Sequence, residues 1–182
     1  MLSLLRYIRL LHVLPNYDKS QMPYPSTPPS SLSPPKPVPD GGKELVRTNE
    51  IWAYYTELPN SLRVTIETPL EWSAHVEADV NQDGKKATPD VSYSVGSDDR
   101  ICTVKVFSET STSGCGVLVS KATLQVRREG NRKISTFTIP KSELSATGKA
   151  AGIALTVWTG STWYRYRQNS DPYPYIVPFL GN

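Results

Sequence analysis

Between Ile51 and Tyr166 apolar and polar residues alternate in short runs with turn residues between them, a pattern that specifies strands and little else. Leu62, Val64 and Ile66 alternate with Arg63, Thr65 and Glu67, and Trp72, Ala74, Val76 and Ala78 alternate with Ser73, His75 and Glu77. Successive strand side chains point to opposite faces, so each run presents one apolar face to a core and one polar face away from it. Further runs span Ile51 to Thr56, Val91 to Val95, Ile101 to Phe107, Ala122 to Arg127, Ile134 to Ile139, Ile153 to Trp158 and Trp163 to Tyr166. Pro59-Asn60, Gly130-Asn131 and Gly160 punctuate them, the second reading as a tight hairpin. Pro140 to Leu144 is the one expected helical turn, because proline suits a first helical position. Roughly nine strands with no helices between them predict an all-β antiparallel β-sandwich, jelly-roll-like in kind.

The N-terminal part has a different character. Eight of the chain's 16 prolines fall between Pro23 and Pro39, among Ser, Thr and Lys. Such a run packs no core and favours extended, polyproline-like backbone. The reading is therefore an N-terminal segment over 1–20, a disordered Pro/Ser-rich tether over 21–42, and a β-domain over 43–182. Leu4, Leu5, Ile8 and Leu11 share one side of a helical projection, but Arg6, Arg9 and His12 interrupt the apolar run that a secretory signal needs. The segment reads as an amphipathic helix, a degenerate signal or sequence ahead of a wrongly chosen start. No stretch approaches the ~18 apolar residues of a membrane span.

Net charge is +3 over 182 residues. Arg6, Arg9, Lys19, Lys36, Asp18 and Asp40 precede Lys43, leaving 16 of the 20 basic and 15 of the 17 acidic residues to the domain. So balanced a domain has no electrostatic footprint for nucleic acid. Its one basic concentration, Arg127, Arg128, Arg132 and Lys133, straddles Gly130-Asn131 and reads as a solvated hairpin. Cys102 and Cys115 suggest a disulfide and an oxidising compartment, with a gain of about 3 kcal/mol in the chain-entropy model. Two unpaired buried thiols are the alternative.

The sharpest motif is Asp79-Val-Asn81-Gln-Asp83-Gly84-Lys85, which ends at Asp90. Oxygen-bearing side chains fall at loop positions one, three and five, glycine at six and a carboxylate at twelve; the Lys85 carbonyl supplies a further oxygen. Calcium takes six to eight hard oxygens at flexible geometry, and a loop of this kind supplies several from one segment. Asp90 is shorter than the glutamate usual at position twelve, and the flanks are strands, so an Asx-rich turn without metal is the competing reading. Trp158, Trp163, Tyr164 and Tyr166 cluster about one hairpin, as core packing or as a platform for the C–H faces of sugars. His75 is the domain's one histidine, no Gly-x-Ser-x-Gly elbow accompanies it, and too few His and Cys remain for zinc. Glu71 and Glu77 are the carboxylates a glycoside hydrolase would use, with nothing in their spacing to favour it.

The stretch Glu77-Ala-Asp-Val-Asn-Gln-Asp-Gly-Lys85, then Ala87-Thr-Pro-Asp-Val-Ser-Tyr-Ser-Val95, Lys133-Ile-Ser-Thr-Phe-Thr-Ile-Pro-Lys-Ser-Glu-Leu144 and Gly152-Ile-Ala-Leu-Thr-Val-Trp158, resembles extracytoplasmic β-sandwiches of the DOMON and family-9 carbohydrate-binding superfamily. The resemblance runs from Trp72 to Trp163. It implies sugar or haem binding. The haem-binding members use an axial Met and His, and here Met1 and Met22 lie outside the domain, so no haem is expected. The expectation is a non-catalytic module, secreted, at a cell surface or periplasmic, that binds a polysaccharide or another cell-envelope component and carries a structural calcium. A structural or adhesive surface domain is the alternative, and a small glycoside hydrolase a third.

Overall fold

The computed structural model describes residues 36–85, 90–95, 99–108, 111–112, 119–160, 163–166 and 173–179, and within them every side chain except those of 104–108, 111–112 and 163–165. The N-terminal segment, the proline run up to Pro35, Cys115 and the loop residues 86–89 lie outside these residues. The strands are β1 (Gly42–Arg47), β2 (Trp52–Glu57), β3 (Ser61–Pro69), β4 (Ser73–Asp79), β5 (Val91–Val95), β6 (Ile101–Ser108), β7 (Ser111–Thr112), β8 (Thr123–Glu129), β9 (Arg132–Pro140), β10 (Ala150–Trp158), β11 (Trp163–Tyr166) and β12 (Tyr175–Pro178), with one helical turn, α1 (Lys141–Leu144), before β10.

They form two antiparallel sheets, so the chain is an all-β sandwich. The first sheet has the order β1-β2-β3-β9-β8. The second runs β11-β10-β4-β5-β6-β7, with β12 beside β10 on the edge that β11 also uses. The arch from β3 to β4 lies alongside the arch from β9 to β10, because β3 pairs β9 in one sheet and β4 pairs β10 in the other.

The alternation decides which face is core. Leu62, Val64 and Ile66 of β3 sit opposite Ile139, Phe137 and Ser135 of β9, and the three apolar residues of β3 are fully buried. Across the sandwich Ala74, Val76 and Ala78 of β4, Val91, Tyr93 and Val95 of β5, and Ala151, Ile153, Leu155 and Val157 of β10 complete one core. Each Val, Leu or Ile so buried stabilises the fold by about 1.5–3 kcal/mol. The turns follow the expected punctuation. Gly130, at φ +59°, turns β8 into β9, and Gly160, at φ +92°, follows β10; L side chains seldom adopt either conformation.

α1 follows Pro140 as expected and ties several elements together. Lys141 is buried and bonds Glu57 at 2.5 Å. Glu143 accepts from Ser120 Oγ, from the Lys121 amide and from Tyr93 Oη, which pins the entry to β8. Burial, with the Glu143 charge second, pushes the Tyr93 phenol well above its ordinary range.

The structure adds β1, β7 and β12 to the strands read from sequence. A register shift between Glu44 and Val46 spoils the alternation of β1. β12 ends in Pro178 on a sheet edge, where proline is tolerated because no ladder bond is lost. The compact unit begins at Lys36. Arg47 donates to the Lys36 carbonyl at 3.1 Å, Lys36 Nζ reaches Glu67 and Glu129 at 3.7 Å each, and the Gly42 amide closes a turn on the Pro39 carbonyl. A Cβ at Gly42 would lie 2.7 Å from Val38 Cγ1, so this turn requires glycine. The last residues of the proline run are thus folded structure. The basic hairpin is also less solvated than its charge suggests. Lys133 turns to the interior side and is 7% exposed, Arg128 pairs with Asp99 at 2.5 Å, and Arg132 donates to the Glu50 and Glu67 carbonyls.

Candidate functional site

β4 is the central strand of the second sheet, and its outward residues run Ser73, His75, Glu77, Asp79. The register sets Thr156 of β10 and Ser94 of β5 on either side of His75, and Ala154 and Ser92 on either side of Glu77. Gly152 stands beside Asp79, and Trp158 beside Ser73 at the other end. Asp90 precedes Val91, whose partner is Ala78, so it faces Asp79 across the neck of the β4–β5 loop. Every polar group in this grid lies on the side away from the core.

That side is not open to water. Glu77, Asp79, Asp90, Ser92, Ser94 and Thr156 are all at most 8% exposed, and Ala154 is fully buried. His75 and Trp158 are half-buried. Among the described residues Tyr173 covers one end, its Cβ lying 3.5 Å from where a Gly152 Cβ would be. Ser94 donates to the Cys102 carbonyl at 3.3 Å. Among the described residues the Thr156 hydroxyl has no hydrogen-bond partner, and a buried hydroxyl left so costs about 1–3 kcal/mol.

At the Asp79 end the side chains organise the acidic loop. Asp79 Oδ1 accepts from the Asp83 amide at 3.2 Å and Oδ2 from the Gly84 amide at 2.9 Å. Asp83 accepts from the Lys85 amide and from Asn81 Nδ2. Asp90 Oδ1 accepts from the Val80 amide at 3.1 Å, and Oδ2 from Tyr173 Oη at 2.7 Å. Gly84 takes φ +69° and Gln82 φ +58°, the left-handed conformations that coil the loop. Asp79 and Asp90 are therefore buried beneath the loop, while Asn81, Asp83 and Lys85 are exposed. Among the described residues no three of His, Cys, Asp and Glu are gathered into a group able to hold a metal. A cavity of about 280 Å³ adjoins the loop, lined by Asp79, Gln82, Gly152, Tyr173 and Ile176 among others.

The aromatic candidates separate. Trp158 and Trp163 are paired in register, as are Val157 and Tyr164. The side chains of Trp163 and Tyr164 lie outside the described residues. Tyr166, opposite Leu155, is partly buried and packs against the core. Cys102 is buried on β6, no described cysteine is free, and the expected pairing with Cys115 falls outside the described residues. Glu71 is exposed at the β3–β4 turn, away from Glu77. Sequence reasoning named Glu77 only as one of a carboxylate pair and found no catalytic or zinc partners for His75. It passed over Thr156, Ser92 and Ser94, which alternation marks as outward and nothing in the sequence marks as shielded.

Comparison of the chain with protein-family models, with curated proteins and with solved structures finds no match. No helix among the described residues is long and apolar enough to cross a membrane.

Proposed function

We propose that this protein is a non-catalytic binding module, secreted, displayed on a cell surface or periplasmic, that takes carbohydrate on the outer face of its second sheet. The observation that carries the reading is that this polar face is bordered by the half-buried His75 and Trp158 and, at its Asp79 end, by a cavity of about 280 Å³, where a sugar has access to it. A glycan presents closely spaced hydroxyls that both donate and accept, together with apolar C–H faces. Glu77 supplies an acceptor, Thr156, Ser92 and Ser94 supply hydroxyls of either kind, and Trp158 supplies an indole at the rim. In this reading Cys102 pairs with Cys115, and a structural calcium is held by Asp79, Asn81, Asp83, the Lys85 carbonyl and Asp90, with the spacing of these oxygens along one loop as its support.

Retention on a panel of cell-envelope polysaccharides and glycans tests the binding. The expected outcome is retention on at least one sugar, weakened about tenfold or more by Trp158→Ala and by Glu77→Gln, since site-built hydrogen bonds discriminate strongly. No retention on any glycan overturns the reading in favour of a structural or adhesive surface domain. Calcium is tested separately by melting temperature: a rise of several degrees in millimolar calcium over chelator, absent in Asp79→Asn, is expected. An identical melting temperature in both buffers removes the metal from the account.

A further inference from the structure

Asp90 is fully buried, and its two carboxylate oxygens serve two different parts of the chain. Oδ1 holds the Val80 amide at the entrance of the acidic loop, and Oδ2 holds the phenol of Tyr173 at the start of the C-terminal strand. The loop is braced further from the same side. Gln82 Nε2 donates to Ser145 Oγ at 3.1 Å and to the Ala150 carbonyl, and the Ala146 amide donates to the Val80 carbonyl at 2.8 Å.

The C-terminal stretch is a narrow strap. β12 pairs through Tyr175 to Pro178 with Ile153 to Ala150 of β10, and it is an edge. One end is anchored by Tyr173, which is 1% exposed. The other is anchored by Phe179, whose amide bonds the Lys149 carbonyl and whose ring lies 5.0 Å beneath the Lys141 ammonium. Between these anchors Ile176 is 66% exposed and lines a cavity together with Asp79 and Gln82 of the loop.

Gly152 is where the two meet. A Cβ there would lie 3.1 Å from Asp79 Cβ and 3.5 Å from Tyr173 Cβ, closer on the Asp79 side than side chains comfortably pack. The acidic loop and the strap are thus pressed together across one glycine and bonded through one carboxylate.

We infer that the strap from Tyr173 to Phe179 latches residues 79–85 of the acidic loop through Asp90, so that these residues and the strap open as one local unit apart from the first sheet. A shared buried carboxylate makes this follow. Withdrawing the strap leaves Asp90 short of a donor in a buried site, and uncoiling the loop takes away the Val80 amide and shifts the acceptor Tyr173 needs. Segments joined in this way exchange with solvent together, at a lower cost than global unfolding. The inference rests on neither the carbohydrate nor the calcium reading.

Native-state hydrogen exchange on the full chain, in chelator, tests it. Tyr173→Phe removes one oxygen and keeps the ring. Its expected effect is exchange about tenfold faster at the β12 amides and, by a similar factor, at Val80, Asp83 and Gly84, with the amides of Val64 and Phe137 in the first sheet unchanged. Gly152→Ala, which wedges the two segments apart without touching the hydrogen bond, is expected to accelerate the same two groups. Faster exchange at β12 alone overturns the latch, because strap and loop are then independent. Equal acceleration throughout both sheets overturns it too, because no separate unit then exists, and so does no change at either group.

Discussion

The outer faces of the two sheets obey the same alternation and have different surroundings. On the first sheet Arg63, Thr123, Gln125 and Arg127 stand in water. Where an outward residue there is shielded, it has a partner. The Thr65 and Thr136 hydroxyls bond each other at 3.2 Å, Glu67 meets Lys36, and the Trp52 indole donates to Glu44 under the Arg47 guanidinium, 4.3 Å from the ring. On the second sheet the outward residues of β4, β5 and β10 are shielded almost throughout, and among the described residues the outward Thr156 has no partner, whereas the unpartnered hydroxyls of the first sheet, Thr68 and Ser135, lie on its inner side. A polar face sealed at the expense of an unsatisfied hydroxyl is poor design for stability alone. Local departures of this kind concentrate where function rather than packing has set the residues.

The largest test of the contrast is steric. Ala154 lies on the outer face of the second sheet at zero exposure, so Ala154→Leu forces three extra heavy atoms of side chain into a buried position. Its expected cost is about 2 kcal/mol in urea unfolding, the usual range for overpacking. Gln125→Leu, outward on β8, should stay within about 0.5 kcal/mol, as exposed substitutions do. If Ala154→Leu is as mild as Gln125→Leu, the two faces are alike and the shielded site disappears.

A smaller test asks for opposite signs from one chemical change. Thr→Val replaces a hydroxyl by a methyl of similar shape. At Thr156 it removes a buried hydroxyl that has no partner among the described residues, so a gain of about 1 kcal/mol is expected. At Thr65 it breaks the bond to Thr136 and should cost about 1 kcal/mol. Equal signs in a paired denaturation experiment would show that Thr156 is satisfied in solution, and the contrast would shrink to exposure alone.

These residues also show what the sequence could reveal. The direction of each outward side chain is a local property, fixed by the two-residue period, and His75, Glu77 and Ser73 were assigned to the correct side of β4 from that period alone. Their shielding is not local, since it depends on segments distant in the chain. For the same reason Asp90 read as the twelfth residue of a cation loop. Its bond to Tyr173, 83 residues away, leaves no trace in the loop's own spacing. The hairpin at Gly130 and the helical turn after Pro140 were legible because glycine and proline act on their own backbone. Lys133 was misjudged as solvated because a charge run names residues without naming faces: on β9 it shares the inward side with Ser135 and Phe137.

The finest test is alkaline, and it separates the sheets by sign. Tyr93 in the second sheet has its phenol pushed up by burial and by Glu143, from an ordinary value of 10.0; burial also raises Tyr175 on β12. A group whose folded pKa is raised contributes stability that is present below the unfolded pKa and lost as pH rises through it. Stability should therefore fall above pH 10, by about 0.4 kcal/mol for one phenol at the unfolded midpoint and by more beyond it. Lys133 in the first sheet has the opposite sign. Burial lowers its pKa, Arg128 across the strand pair also opposes its charge, and Asp99 and Glu71 favour it without reversing the direction. Its charge therefore weighs on the folded state at neutral pH and is relieved as pH rises toward 10.5. Between these values hydrogen exchange, corrected for its intrinsic dependence on pH, should weaken protection in β5 and β12 before β9. Tyr93→Phe should flatten the alkaline loss, and Lys133→Met should remove the relief. Alkaline loss that begins in β9 would place the pH-sensitive burial in the first sheet and reverse the assignment of the two.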